Sequence, residues 1–298
     1  MAATTGEGSA TAITTTPPAA TAARDAGGAV AAGLRERISV LAARLVRYLS
    51  RPHWWIEILL VWSIYQAYSY VRNLGGKETA PAMLNGEHIL DIEKALHIDV
   101  ELTLNRWLHD NPWLENLAAL HYHTLHWWVT IGVAVWLYCT NRPGYRRASL
   151  VLALTTIIAL VGFYLIPTAP PRMFDGYLDT MSYTSSWGWW GISGSPGPES
   201  ITNEVAAMPS LHCGWAIWAG MMIALYARRR WLRVLGILYP MTTVFVVMAT
   251  ANHYLLDVVA IMVVLAVAMA VVYAPWHLLW GRLARLRRNR DDSGAVVG

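Results

Sequence analysis

The chain has 298 residues, of which 55% are hydrophobic and only 14% charged, with 16 tryptophans and a formal net charge of +4. A soluble domain carries nearer a quarter charged residues, so the composition excludes an ordinary soluble protein and points to an integral membrane protein whose first partner is the bilayer. The net charge says little, because the basic residues cluster at a few places, and no nucleic-acid partner is expected.

Residues 1–50 are a different material. "MAATTGEGSATAITTTPPAATAARDAGGAVAAG" is low-complexity Ala/Thr/Gly/Pro and reads as a disordered leader. "LRERISVLAARLVRYLSRP" follows as a basic amphipathic segment suited to an anionic membrane face. No apolar core ends in a small-residue cleavage site, so the leader is read as uncleaved and cytoplasmic.

Residues 51–275 read as one membrane domain with six spans, near 54–71, 117–139, 148–166, 209–227, 231–250 and 254–274. The first carries Glu57 and Gln66 inside it. Between spans one and two, Ile89, Ile92, Leu96, Leu104, Trp107 and Leu108 recur at helical spacing with charges in the gaps. That pattern predicts one or two amphipathic helices resting in the interface. Residues 276–298 form a basic tail. The fold class is therefore an all-α membrane protein.

Lys and Arg alternate between connections. The leader, "NRPGYRR", "RRRWLR" and the tail "RLARLRRNR" are basic, and the intervening connections are not. The positive-inside rule then places both termini in the cytoplasm and connections one, three and five outside. Cys139 and Cys213 fall on opposite faces and cannot pair. No Cys/His zinc spacing is present.

This orientation gathers the unusual polar residues on one leaflet. His253 and Asp257, four apart at the start of the sixth run, share a helix face, where a carboxylate fixes an imidazole tautomer and raises its basicity. Ser210 and His212 open the fourth run, with Pro209 placed in the first turn, beside free backbone N–H groups that favour an anion. Arg172, in the outer connection 167–208, adds a cation with bidentate geometry for phosphate. A helix cap or a loop arginine accounts for each element alone. Their convergence on one side argues for function.

"PSLH" followed by "HYLLD" resembles the signature of the type 2 phosphatidic acid phosphatase superfamily, P-S-G-H and then H-x-x-x-D. The upstream "PTAPPRM" and "IEKALHIDVELTLNRWL" are similar to its inositol phosphorylceramide synthase-like branch. The resemblance implies a six-helix bundle in which His253 attacks phosphorus to form a phosphohistidine and Asp257 orients it. His212 would protonate the leaving oxygen, and Arg172 and Ser210 would hold the non-bridging oxygens. It implies a lipid phosphate or phospholipid substrate at the outer leaflet of a plasma membrane, and requires neither cofactor nor metal. Hydrolysis and transfer to a lipid alcohol share the covalent step. The Ala/Arg-rich composition suggests a bacterial source. One departure is Val247, which stands where the phosphatase signature has an arginine, six residues before His253. Arg72 is another cation at the outer end of the first span.

Three alternatives bear on these residues. His121, His123 and His126 invite a metal reading, but the HExxH spacing is absent, and His126 is the one expected to line a headgroup cavity. "GISG" around Ser193 matches the G-x-S-G of rhomboid intramembrane proteases, yet "GSPGPES" follows it instead of an apolar run, so it reads as a chance match. A lipid-binding protein with degenerate motifs is the non-enzymatic alternative. The tryptophans of "WGWW" are expected to dip into the interface as a lid. Oligomeric state is left open.

Overall fold

The computed structural model describes residues 33–44, 53–55, 57–59, 62–63, 66, 70, 79–188, 190 and 205–275. The expectations for the rest of the leader, for Arg72 and Ser193, and for the basic tail lie outside these residues. The chain divides into two units, Met1–Trp54 and Trp55–Gly298. In the first, 33–44 is helical and exposes Leu34, Ile38 and Leu41 at helical spacing, among Arg35, Arg37 and Arg44.

The second unit is helical, with no strand among the described residues. Its helices are α1 (Thr79–Leu96), α2 (Glu101–His109), α3 (Pro112–Thr140), α4 (Arg142–Leu165), α5 (Thr180–Thr184), α6 (Leu211–Tyr226), α7 (Arg230–Ala249) and α8 (Leu255–Tyr273). Three of these, α4, α7 and α8, are long and apolar enough to cross a membrane, and α6 is a shorter apolar helix. Their outward positions stay apolar, as in Ile157 and Val161 of α4, Leu235 and Leu238 of α7 and Met262 and Val263 of α8. A surface of that kind suits lipid, not water.

Helix α6 is the hub, packing on α3, α4, α7 and α8. Its Trp218 is buried and donates from Nε1 to the Ala148 carbonyl of α4 at 2.9 Å. Around it Val133, Leu137, Val151, Met222 and Leu265 form one core cluster. Where α6 crosses α7 the backbones nearly touch. A Cβ on Gly236 would stand 2.8 Å from the Gly220 carbonyl oxygen, and one on Gly220 would meet the Gly236 oxygen closer still. Small residues at such a crossing let two membrane helices gain dispersion contact over their full faces. Glu57, unexpected inside an apolar run, is buried and accepts from Tyr145 Oη at 2.8 Å and Arg146 Nη1 at 3.3 Å.

The amphipathic segment forms two helices, α1 and α2, and part of the face they bury is acidic. Ile92 and Leu96 are exposed, while Glu93 and Glu101 are fully buried. The buried face of α2 runs Glu101, Asn105, Leu108, a helical stripe in which polar groups replace apolar ones. The reason is tertiary. Asn105 donates to the carbonyls of Leu178 and Ala249 and accepts from Leu178 N, so it ties α2 both to the long connection and to the end of α7. Leu108, beneath it, packs with Ala118, Val246 and Ala249.

One correction concerns Pro209. It does not lie in the first turn of α6. Ser210 is the N-cap and the helix begins at Leu211.

Candidate active site

The "PTAPPR" segment is shaped by what it lies against. Thr168 pairs with Ala206 in an isolated parallel bridge, and Ala169 N donates to the Ala82 carbonyl of α1 at 3.0 Å. Asn85 Nδ2 donates to the Pro167 carbonyl at 2.8 Å, and Tyr254 Oη to that of Ala169 at 2.7 Å. Gly86 permits this approach, since a Cβ there would lie 2.8 Å from Ala169 O, Phe174 and Tyr254 Oη. The segment then turns through Pro171–Met173 and delivers Arg172 to the end of α7.

Helix α7 ends in a Schellman turn. Asn252 N donates to Val247 O and Ala251 N to Met248 O, with Ala251 in the left-handed region at φ 53°. A left-handed alanine costs about 1–2 kcal/mol. Here it reverses the chain so that His253 and then α8 return toward α6. Val247, where an arginine was expected, is fully buried with Leu160, Leu211, Cys213 and Ile261. Its side chain belongs to the core beneath the site, and its carbonyl accepts from His253 N at 3.1 Å.

His253 is buried, and its Nδ1 lies 2.9 Å from Ala207 O and 3.2 Å from Asp257 Oδ2. A backbone carbonyl only accepts, so Nδ1 carries the proton and, in the neutral ring, Nε2 keeps a lone pair. Asp257 is fully buried. Its Oδ2 also accepts from Tyr254 N at 3.0 Å, which locks the carboxylate to the first turn of α8. Ser210 N donates to Asp257 O at 3.3 Å, and Ser210 Oγ accepts from Cys213 N at 3.4 Å. Ser210 thus caps α6 and joins its start to that of α8.

His212, in the first turn of α6, has its ring centroid 5.7 Å from that of His253. Tyr122 stacks on it at 4.1 Å and His126 meets it edge-on at 4.3 Å. The three histidines of α3 diverge. His126 is buried against His212, His121 Nε2 lies 3.0 Å from Thr243 Oγ1, and His123 stacks on Trp190 at 4.1 Å. Among the described residues no three His, Cys, Asp or Glu side chains are arranged to hold a metal ion.

Arg172 Nη1 donates to Asn252 Oδ1 at 2.8 Å, Nε lies 3.6 Å from Asp179 Oδ2, and the Arg172 amide donates to Ala251 O. The cation is therefore seated one residue from His253. Asp179 Oδ1 accepts from Met181 N and Ser182 N, capping α5. Of the tryptophans expected in the interface, Trp190 is instead buried against His123. Trp187 is half exposed and donates from Nε1 to Asn116 Oδ1 at 2.6 Å, and Trp189 lies outside the described residues.

His253, Asp257, His212, Ser210, Arg172 and His126 thus occupy one neighbourhood, formed by the end of α7, the starts of α6 and α8, the Pro171–Met173 turn and the middle of α3. A family model described as PAP2 superfamily matches residues 87–274. The chain belongs to the PAP2 superfamily. Membership carries phosphatase- or phosphotransferase-type activity in general terms. No curated protein and no solved structure matches the chain. Motifs taken one by one left the partners of this candidate site unseen: Asn252, Asp179, Glu93, Glu101 and the Ala207 carbonyl. Asn252 adjoins His253, and Glu93 lies one turn from Ile89 on the apolar stripe; both were signals available in the sequence.

Proposed function

We propose that this PAP2 protein is a six-span phosphoryl-transfer enzyme acting on a lipid phosphate or phosphodiester at the outer leaflet, of the inositol phosphorylceramide synthase-like branch. It would sit in a bacterial plasma membrane with both termini cytoplasmic and α1 and α2 at the interface. The observation that carries the reading is the His253 ring, held by Ala207 O and Asp257 on Nδ1 with its centroid 5.7 Å from that of His212. In the reaction Nε2 attacks phosphorus, and the bond to the lipid alkoxide breaks. His212 donates a proton to that oxygen, releasing a neutral alcohol such as diacylglycerol. His212, now a base, removes a proton from water or an acceptor alcohol, whose oxygen attacks the phosphohistidine and restores Nε2. Arg172 and the Leu211 and His212 amides that open α6, which lack acceptors within the helix, face the charge that grows on the non-bridging oxygens.

The test is trapping of an acid-labile phosphoenzyme with dioctanoyl phosphatidic acid labelled at phosphorus and with phosphatidylinositol labelled in the headgroup. Label on wild type but not on His253→Ala supports the covalent step, and release by water or by short-chain ceramide separates hydrolase from transferase. Equal turnover in wild type, His253→Ala and His212→Ala overturns it. Lipid binding without turnover in the wild type would favour the lipid-binding alternative.

A further inference from the structure

Three successive backbone N–H groups open α8, and each meets a different carboxyl. Tyr254 N donates to Asp257 Oδ2 at 3.0 Å, Leu255 N to Glu101 Oε1 at 2.7 Å and Leu256 N to Glu93 Oε1 at 2.8 Å. Both glutamates are fully buried, and Glu93 Oε2, Glu101 Oε2 and Asp257 Oδ1 have no hydrogen-bond partner among the described residues. Simple capping needs far less, since a local Ser, Thr or Asp at the N-cap satisfies such donors. Here the N-cap is Tyr254, and two carboxyls come from 154 and 163 positions away in the chain. Burying two carboxyls beside a third costs stability.

We infer that Glu93 and Glu101 are positioning residues for the nucleophile: by occupying the amides of Leu255 and Leu256 they reserve Asp257 Oδ2 for Tyr254 N and His253 Nδ1. The physical reason is competition. Asp257 sits three residues into α8, where its carboxylate reaches any unsatisfied first-turn amide. With Leu255 N and Leu256 N free, the carboxylate is drawn toward them and away from the imidazole. The glutamates act through α8, whose first amides they accept from. They also explain the arrangement of the segment before α3. α1 and α2 each bring one acceptor to the same turn, and the left-handed His97 at φ 58° closes α1 so that α2 can start at Glu101.

This inference rests on His253 being the nucleophile, so the experiment carries that control. Full-length wild type, Glu93→Ala, Glu101→Ala, the matching Gln and Asp variants and His253→Ala are purified in detergent. Each is assayed with dioctanoyl phosphatidic acid, and with dioctanoyl phosphatidylinositol plus short-chain ceramide. Hydrogen exchange is followed in the 253–258 peptide. The alanine variants are expected to lose at least about tenfold in kcat with KM within about twofold, as misplacement of a reacting group does. Their 253–258 peptide should exchange faster than in wild type, a readout that needs no turnover. The glutamine variants, whose side-chain oxygen still accepts, should restore kcat to within about threefold. Wild-type kcat in folded alanine variants, a change in KM alone, or unchanged exchange overturns the inference. If the alanine variants do not fold, the Asp variants decide, since they keep the carboxyl and lose the reach: full kcat in both overturns it. Turnover by His253→Ala equal to wild type sinks the nucleophile reading itself, whereas an inactive His253→Ala beside unaffected glutamate variants sinks only the positioning role.

Discussion

Arg172 Nη1 donates to Asn252 Oδ1 at 2.8 Å, so the guanidinium is seated by the residue that precedes His253. Asn252 is itself held, with Nδ2 donating to Thr250 Oγ1 at 2.9 Å. A cation in the long connection and an imidazole at the start of α8 are thereby placed through one amide side chain.

Asn252→Ala removes that seat and, among the described residues, leaves the Arg172 guanidinium its contact to Asp179 at 3.6 Å. The expected result is a loss of about tenfold in kcat/KM on the phosphatidic acid probe, the worth of one hydrogen bond to a charged group. The melting temperature in detergent should stay near wild type, because the turn keeps its backbone bonds. Steady-state kinetics check this, and an unchanged kcat/KM would show that Arg172 does not depend on Asn252.

Asp257→Asn keeps the side-chain size and removes its charge. Ala207 O still holds Nδ1, but the charge that stabilises an imidazolium or a phosphohistidine is gone. A fall of about 10² to 10⁴ in kcat is expected, the range seen when an orienting carboxylate is neutralised beside a catalytic histidine. Rapid-quench measurement of phosphoenzyme formation should show the same loss in the first step. Wild-type formation rates would remove Asp257 from the proposed mechanism.

Gly86→Ala tests the shape of the scaffold. Its Cβ meets the Ala169 carbonyl, which cannot move without breaking the bond from Tyr254 Oη at 2.7 Å. Overpacking of this kind costs about 1–3 kcal/mol. A lower melting temperature is expected, together with reduced activity, because Arg172 follows Ala169 by three residues. Thermal unfolding in detergent reads the first effect directly.

Glu93 sets a pH dependence. Burial, reinforced by the neighbouring carboxylates of Glu101 and Asp257, outweighs the bond from Leu256 N and pushes its carboxyl up to about 8 from the ordinary 4.5. The folded state therefore holds a proton that the unfolded state releases. Stability is fully present below about pH 4.5 and falls as pH rises toward 8. Burial also raises Glu101, which adds to the same slope. Glu93→Gln should flatten melting temperature against pH over this window. A slope unchanged from wild type would show that Glu93 does not titrate there.

Much of this molecule is legible residue by residue. Apolar runs long enough to span lead directly to α4, α7 and α8, because a bilayer demands an unbroken apolar surface on a closed hydrogen-bonded backbone. His253 and Asp257 could be paired on paper because four residues make one turn of helix, and the pair is found at 3.2 Å. Helix α6 was less well read: Pro209 suits a first turn, yet the cap fell one residue later, on Ser210.

By itself, then, the amino-acid sequence pointed to a membrane protein and singled out the candidate histidines, carboxylate and arginine, since those are local properties of composition and spacing. Only the tertiary structure decided that Glu93 and Glu101 turn inward, that Val247 belongs to the core, that His126 alone of its trio faces His212, and that Asn252 seats Arg172. Each depends on partners far away in the chain. Whether a buried polar group is tolerated is settled by the donor or acceptor that another helix brings to it, and no local pattern records where that helix will lie.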